Sequence, residues 1–297
     1  MSVVAAAGQS ANPRSVPERS YLERQAHAAR KNLWKAVIFV VAFCFFGLPL
    51  FLLVIDAFNS NATVSFALPS SITFSNFAYV AGTGSFWTAA LNGLILSAGS
   101  GAVAIVLAAL AAYPLSRFKF RGRVAYLLGV LFVTGIPVTA LIVPLYEFFK
   151  NFGWLDQIIP VMLLMAAFAA PISIWLMKTF LDNIDPALEE STWVDGASRF
   201  QGYVRVVLPL MSTGLLVAFL LDFITGWANF YVPFILLSSQ SKLPIAVTIY
   251  QFFGSFGSVE YGRLAAFAIL YSIPPALLYV FTGGRLGGSF TTGAFKG

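Results

Sequence analysis

The amino-acid sequence predicts an all-α polytopic membrane protein with six transmembrane helices. Of its 297 residues, 59% are hydrophobic and only 10% are charged, and the mean hydropathy is +0.82. Soluble domains usually carry about 25% charged residues. The chain is therefore too apolar and too poor in charge for a soluble fold, and its long charge-free runs point to helices that cross a bilayer.

Six such runs are long enough to span the membrane. Each is near or above the roughly 20 residues that a transmembrane helix needs. Five carry no charge: Ala36–Ile55, Trp87–Ser116, Val124–Tyr146, Gln157–Met177 and Leu264–Gly284. The remaining run, 206–237, contains the single acid Asp222. The predicted organisation is an N-terminal tail over 1–35, a domain of six transmembrane helices over 36–284 and a C-terminal tail over 285–297.

The distribution of cations predicts the orientation. Fifteen of the eighteen Lys and Arg residues lie in the two tails and in the connections after the second and fourth spans. By the positive-inside rule, these segments face the cytoplasm. The net charge of +6 thus reflects topology and does not indicate nucleic-acid binding.

The N-terminal tail has no apolar core of its own, so it is not a cleavable signal peptide. The first span instead acts as an uncleaved anchor. We expect the tail to be disordered; the alternative is a short amphipathic helix around 18–31 that lies on the anionic lipid of the inner leaflet.

The second predicted span carries a stripe of small residues at every fourth position. These residues are Ala89, Gly93, Ser97 and Gly101. Small side chains on one helix face let the backbone of another helix approach closely. The stripe therefore predicts a helix-packing surface.

The most distinctive segment, hereafter the 182–209 loop, connects the fourth and fifth spans. It holds five of the chain's twelve acidic residues: Asp182, Asp185, Glu189, Glu190 and Asp195. Asp185 followed by Pro186 is typical of a helix start. Gly196 can adopt the left-handed conformation that ends such a helix. Ser198 and Gln201 have the spacing of a capping box that opens a second helix. The loop is thus predicted to form helix, turn and helix.

These residues also carry a resemblance to a known family. Glu190-Ser191-Thr192, three residues, Gly196, nine residues and Val206-Val207-Leu208-Pro209 resemble the EAA loop of permease subunits in bacterial ABC importers. Pro186 and Asp195-Gly196-Ala197 resemble the carbohydrate-importer branch in particular. Ser191 and Thr192 stand where the family has two alanines, and both are small enough to keep the helix. The C-terminal residues 293–297 resemble the tail of subunits related to the maltose permease protein MalG.

The resemblance implies a type I ABC importer permease fold and an alternating-access mechanism. It implies four kinds of partner: a second permease subunit of the MalF type, two ATPase subunits that hold ATP and Mg²⁺, an extracellular solute-binding protein and membrane lipid. Glu189 and Glu190 would offer carboxylates to an ATPase, while Leu208 and Pro209 would fix the entry into the fifth span. The ATPase-coupling residues implied are Pro186, Glu189, Glu190, Ser191, Thr192, Asp195, Gly196, Ala197, Leu208 and Pro209.

Residue counts argue against catalysis by this chain. Cys44 and His27 are each the only residue of their type, so no disulfide framework or Cys/His metal cluster is expected. No Gly-x-x-x-x-Gly-Lys-Ser/Thr loop occurs, so we expect no cofactor here and ATP hydrolysis by another chain. The rival interpretations are a membrane-embedded enzyme, which the lack of paired intramembrane acids disfavours, and a self-sufficient channel.

Four polar or aromatic residues are candidates for the substrate path: Asn92, Asp222, Trp227 and Asn229. A carboxylate inside a span is costly unless it faces protein, water or a partner charge, so Asp222 either lines the path or makes a structural contact. Planar polar groups and aromatic faces hold sugars. The segment 223–230 resembles a family segment with Trp-Asn-Asp/Glu-Phe, but Ala228 and Asn229 replace the Asn and the acid.

Two segments are predicted to face outward, 59–86 and 238–261. Either could meet the extracellular solute-binding protein, or each could be an exposed connector. The same architecture could also serve glycerol-phosphate diesters, polyamines or another small polar solute in place of a di- or oligosaccharide.

Overall fold

The computed structural model describes residues 18–63, 72–252 and 259–293 of the chain. The chain divides into two compact units, 1–55 and 56–297. The first unit consists of most of helix α1 (Glu18–Ala57), whose apolar side chains from Leu33 to Val54 are largely exposed, as those of a lipid-facing span are. No Gly or Pro occurs between Glu18 and Gly47, so the helix continues over this range without interruption.

The prediction of a disordered N-terminal tail is therefore wrong for 18–31, which is helical. Residues 1–17 lie outside the described part.

The second unit is also helical. Its α-helices are α2 (Ser75–Gly82), α3 (Gly84–Arg117), α4 (Arg123–Thr134), α5 (Val138–Asn151), α6 (Ile158–Asp182), α7 (Pro186–Val194), α8 (Arg199–Gly202), α9 (Leu208–Leu210), α10 (Ser212–Trp227), α11 (Tyr231–Leu236), α12 (Ile245–Thr248) and α13 (Tyr261–Gly293). A π-helix (Tyr203–Val207) joins α8 to α9, and 3₁₀ turns occupy Gln240–Lys242 and Ile249–Phe252.

By length and composition, four helices of the described residues can each cross a membrane: α1, α3, α6 and α13. Two bent helix pairs bring the number to six if each pair is one span. The sequence predicts one span over 124–146, with Pro137 and Pro144 among the prolines that interrupt the spans, and in the structure α4 and α5 meet at 90°. Pro137 explains this break, because it cannot donate a backbone hydrogen bond and keeps Ile136 out of helical geometry.

The fifth span also differs from its prediction. It runs from Arg199 to Trp227, with a 72° bend, and does not extend to residue 237. Pro209 cannot donate a hydrogen bond to the preceding turn, and that turn is a π-helix. After Trp227 the chain turns, and the side-chain Oδ1 of Asn229 accepts the Val232 N–H at 3.2 Å near the start of α11. The last helix, α13, continues nine residues past the predicted end at Gly284, while residues 294–297 lie outside the described part.

The core of the second unit is the packing of α3 against α6 and α10. All four small residues of the predicted stripe are buried, which confirms the packing surface. At the closest approach, a Cβ added to Gly226 would lie 3.1 Å from the Ser97 Cα. The absence of a side chain at Gly226 lets α10 and α3 approach closely here.

Apolar clusters close the two ends of the second unit. At the end that holds the 182–209 loop, hereafter the loop end, Met177 and Leu181 pack with Tyr203 and Val207. At the opposite end, Leu96 and Phe149 pack with Val232 and other apolar side chains. The loop therefore packs directly on the apolar core at the loop end.

A polar network at the opposite end fixes the connection between α5 and α6. Asp156 has a left-handed backbone, with φ 58°. Its carboxylate accepts the backbone N–H groups of Ser238 and Ser239 at 3.0 and 2.9 Å, and it pairs with the Lys242 ammonium at 2.9 Å. The hydrogen bond from the Ser239 hydroxyl, helped by the Ser239 backbone and Lys242, holds the pKa of Asp156 below its ordinary value.

We expect Asp156→Asn to lower thermal stability at neutral pH, by less than about 1 kcal/mol because the pair is partly solvated. Asn tolerates the left-handed backbone, so the variant isolates the loss of charge. A carboxyl whose pKa is lowered by folding stabilises the fold above its ordinary pKa of about 3.9 and stops doing so as the pH falls through the lowered value. The difference in melting temperature between the two proteins in detergent should thus shrink below pH 4. A constant difference down to pH 3 would contradict this assignment.

Candidate functional site

The first helix of the 182–209 loop begins as its residues predict. The Asp185 carboxylate accepts the N–H of Ala187 at 2.9 Å, and Pro186 occupies the first helical position. This cap satisfies one of the N–H groups that a helix start leaves without a partner. The structure therefore confirms the predicted start of α7.

The turn after α7 depends on Gly196. Its φ is +86°, in the left-handed region, and the Ala197 N–H reaches back to the Thr192 carbonyl at 3.0 Å. The next helix starts with the predicted capping box: the Gln201 N–H donates to the Ser198 hydroxyl at 3.3 Å, and the Ser198 N–H donates to the Gln201 side chain at 2.9 Å. Helix, turn and helix are all confirmed.

The two adjacent glutamates of α7 point in different directions. Glu189 is 1% exposed, whereas Glu190 is exposed. Successive residues of an α-helix lie about 100° apart around its axis, so the two side chains cannot share a face. We expected from the sequence that both would offer carboxylates to a partner; the structure places only Glu190 at the surface.

The buried Glu189 ties the loop to the end of α3. Its carboxylate pairs with the Arg117 Nε at 3.2 Å and accepts a hydrogen bond from the Tyr113 hydroxyl. The Arg117 Nη2 donates to the Ile184 carbonyl at 3.0 Å. Arg117 therefore contacts both α7 and the residues that lead into it. Sequence reasoning missed this role, because Arg117 belongs to a run of four cations that reads only as an orientation signal.

A second contact holds α7 against α8. A Cβ added to Gly202 would lie 2.6 Å from the Thr192 Oγ1 and 3.3 Å from the Trp193 Nε1. The Arg199 guanidinium stacks on the Trp193 ring, with its Cζ 5.1 Å from the centroid. The two short helices thus pack without space between them at Gly202.

The outer face of the loop is left free by these contacts. Exposed residues on or beside α7 include Pro186, Leu188, Glu190, Ser191, Val194, Asp195 and Gly196. Val194 is 89% exposed although it is apolar. Thr192, Ala197 and Leu208 are half-buried, and Pro209 is exposed. Six of the ten implied coupling residues are therefore exposed: Pro186, Glu190, Ser191, Asp195, Gly196 and Pro209.

A groove among α3, α6 and α10 contains two of the four candidate substrate-path residues. Its polar lining consists of Ser100, Asp222, Thr225 and Asn229. The Asp222 carboxylate is largely buried, and both its oxygens lie within 2.9 Å of the Ser173 hydroxyl. The structure brings Asp222 and Asn229 together, and it adds Ser100, Thr225 and Ser173, which carried no sequence signal.

The other two candidates make internal contacts instead. The Asn92 amide donates to the carbonyls of Ser241 and Leu243 at 2.8 and 3.3 Å. The Trp227 Nε1 donates to the Tyr271 carbonyl at 3.1 Å, and the Trp227 ring is 3% exposed. Both side chains stabilise helix packing in this structure, so neither faces the groove. In the described part of the chain, no group of three or more His, Cys, Asp or Glu residues could hold a metal ion.

Comparison with known proteins places these features in a family. The profile described as "Binding-protein-dependent transport system inner membrane component" matches residues 104–284. The chain is 28% identical over 274 residues to the diacetylchitobiose uptake system permease protein DasC of Streptomyces coelicolor, covering 90% of this chain and 98% of that protein. It is 30% identical over 231 residues to the trehalose transport system permease protein SugB of Mycobacterium tuberculosis, covering 77% and 84%.

A solved structure agrees with the predicted fold. A chain of a bacterial ABC transporter involved in the import of the acidic polysaccharide alginate has a TM-score of 0.74 at 20% identity, covering 87% of this chain and 97% of that chain. At this identity the likeness concerns the fold alone, and it confirms the ABC importer permease architecture. Because the family profile matches more than half of the sequence, the chain belongs to the binding-protein-dependent transport system inner membrane components.

Proposed function

We propose that this chain is one of two transmembrane subunits of an ATP-driven importer for a carbohydrate, and that its 182–209 loop docks on an ATPase subunit. The permeases of similar sequence are named for diacetylchitobiose and trehalose uptake. The observation that carries the docking proposal is the loop itself, in which caps and buried contacts hold α7 while Glu190, Ser191 and Val194 face outward. A connector without a partner has no need of such a rigid exposed helix.

The proposed orientation places this loop and both termini in the cytoplasm. It follows from the positive-inside rule and from the concentration of Lys and Arg at the tails and the loop end. The loop then faces the compartment that contains ATP. Two ATPase subunits, a second permease subunit and an extracellular solute-binding protein complete the proposed assembly, and this chain contributes no catalytic group or cofactor.

The groove among α3, α6 and α10 is the proposed contribution of this chain to the translocation path. Hydroxyl, amide and carboxylate groups at Thr225, Asn229 and Asp222 suit the hydroxyl groups of a sugar. No Lys or Arg occurs among the residues that line it. A glycerol-phosphate diester would therefore meet a carboxylate without a compensating cation, and the groove favours a neutral sugar over that alternative.

Replacing Glu190 by lysine should weaken ATPase association by about tenfold or more, because it reverses an exposed charge at the proposed contact; 1.4 kcal/mol already corresponds to tenfold. The measurement is the amount of ATPase that copurifies with the permease pair, followed by ATP-dependent uptake of labelled di- and oligosaccharides into proteoliposomes. Lys119→Glu, a charge reversal at an exposed loop-end cation outside the 182–209 loop, is the matched control.

The Lys119→Glu control should keep normal association and uptake. Normal association and uptake in the Glu190→Lys variant would contradict the docking assignment. Replacement of Gly196 by valine offers an independent check, because a β-branched residue is strongly disfavoured at φ +86°. It should reduce association as well, while membrane insertion is retained.

A further inference from the structure

We infer that α3 carries movement of the 182–209 loop to the groove, and that Glu189 is the positioning residue that joins the loop to α3. This inference rests on the proposed docking of the loop. It adds a route to the one that the resemblance implies, in which the spans connected to the loop carry the movement to the central cavity.

A buried ion pair and two hydrogen bonds connect the loop to α3. The Glu189 carboxylate is almost fully buried and has two partners on α3, the Arg117 guanidinium at 3.2 Å and the Tyr113 hydroxyl. Moving α7 away from α3 would break this ion pair and this hydrogen bond together. Arg117 also holds the Ile184 carbonyl, so the start of the loop moves with α3 as well.

Helix α3 is suited to transmit displacement along its axis. It is continuous over 34 residues, with its proline confined to the last turn at Pro114. Ser100, which lines the groove, lies seventeen residues before Arg117, or about 25 Å at 1.5 Å per residue. Around Ser100, α3 packs directly on the backbone of α10 at Gly226, so the groove face of α10 must follow α3.

The direct route through the fifth span is less rigid. Between the loop and α10 the chain passes through a π-helix (Tyr203–Val207) and then a 72° bend at Met211. A push along α8 therefore meets a change of direction before it reaches Asp222. Helix α3 contacts the loop through Arg117 and is continuous from there to the groove.

The two glutamates of α7 thus have separate tasks. Glu190 faces outward and makes the docking contact under the proposed function, whereas Glu189 faces inward and passes the movement on. A variant at Glu190 should lose the ATPase. A variant at Glu189 should keep the ATPase but lose the link between hydrolysis and uptake.

The experiment uses the full assembly of both permeases, the ATPases and the solute-binding protein, reconstituted in proteoliposomes. Glu189→Gln, Arg117→Gln and the exchanged pair Glu189→Arg with Arg117→Glu are compared for copurified ATPase, ATP hydrolysis and labelled-sugar uptake. We expect near-normal ATPase association in both single variants. Uptake per ATP should fall at least about fivefold, the lower end of typical coupling between sites. The exchanged pair should restore a large part of the uptake per ATP.

Lys119→Gln serves as the matched control for Arg117→Gln, because it removes a nearby exposed cation that has no ion pair with any described residue. If Glu189→Gln does not fold, Glu189→Asp is used instead, because it keeps the charge on a shorter side chain. Sugar uptake per ATP hydrolysed is then measured for this variant. Thermal stability of each assembly separates a general loss of structure from a specific loss of coupling.

Two results would overturn the inference and leave the proposed function intact: loss of ATPase association in Glu189→Gln, which would make Glu189 a docking residue, or wild-type uptake per ATP in both single variants. Failure of the proposed function would show itself differently, as unchanged association in Glu190→Lys.

Discussion

Replacing Gly202 by leucine is expected to displace α7 from α8 and to disable the 182–209 loop. The first side-chain atom would already lie 2.6 Å from the Thr192 Oγ1 and 3.3 Å from the Trp193 Nε1. Thr192 cannot move freely, because its hydroxyl donates to the Glu189 carbonyl at 2.7 Å. Overpacking of this kind costs about 1–3 kcal/mol. Association with the ATPase and sugar uptake should therefore fall by about tenfold or more, since 1.4 kcal/mol corresponds to tenfold.

The matched control for this variant is Gly129→Leu, which places the same side chain on a helix where a Cβ meets no atom within 4 Å. Both variants should insert into the membrane, and only Gly202→Leu should lose copurified ATPase. Wild-type association in Gly202→Leu would mean that the packing of α7 on α8 does not determine how the loop docks.

Removing the hydroxyl of Ser173 is expected to destabilise the protein and to impair the groove. The Ser173 hydroxyl donates to the buried Asp222 carboxylate and lies 2.7 and 2.9 Å from its two oxygens. A buried acceptor that loses its donor costs about 1–3 kcal/mol, and more when it is charged. Ser173→Ala should thus lower the melting temperature of the purified protein and reduce sugar uptake.

A double variant distinguishes the structural and functional parts of this effect. When both partners of a buried hydrogen bond become apolar, most of the stability returns. Ser173→Ala with Asp222→Leu should therefore regain thermal stability but not sugar uptake, because the groove has lost its carboxylate. Recovery of both properties would remove Asp222 from the proposed path, and unchanged stability in Ser173→Ala would show that the carboxylate does not depend on this bond.

Features that depend on local sequence were predictable. Asp185 and Pro186 start α7, Gly196 ends it, and Ser198 with Gln201 caps α8, because each of these signals acts within three or four residues. Composition and charge distribution were sufficient to predict an α-helical membrane protein, and the spacing of small residues along α3 predicted its packing face.

Features that depend on contacts between residues distant in the sequence could not be predicted. Nothing in the residues around Glu189 indicates that its partner is Arg117, 72 positions earlier. Likewise, Asp222 accepts a hydrogen bond from Ser173 on another helix, and Asn92 donates to the carbonyl groups of residues 241 and 243. Hydropathy also overlooked the break between α4 and α5, since Gly135 and Pro137 lie inside an apolar run and carry no charge to interrupt it.

The anchoring of α7 by Glu189 has a practical consequence for inhibitor development. A nine-residue helix is too short to be stable in water by itself, and here it is held jointly by its Asp185 cap, by α8 at Gly202, and by a guanidinium and a phenol from a distant segment of the same polypeptide. A synthetic peptide that copies 182–209 would accordingly be unstructured and a poor competitor for the ATPase. A useful mimic would need a covalent staple on its inward side, at the position of Glu189, so that the outward side chains remain available.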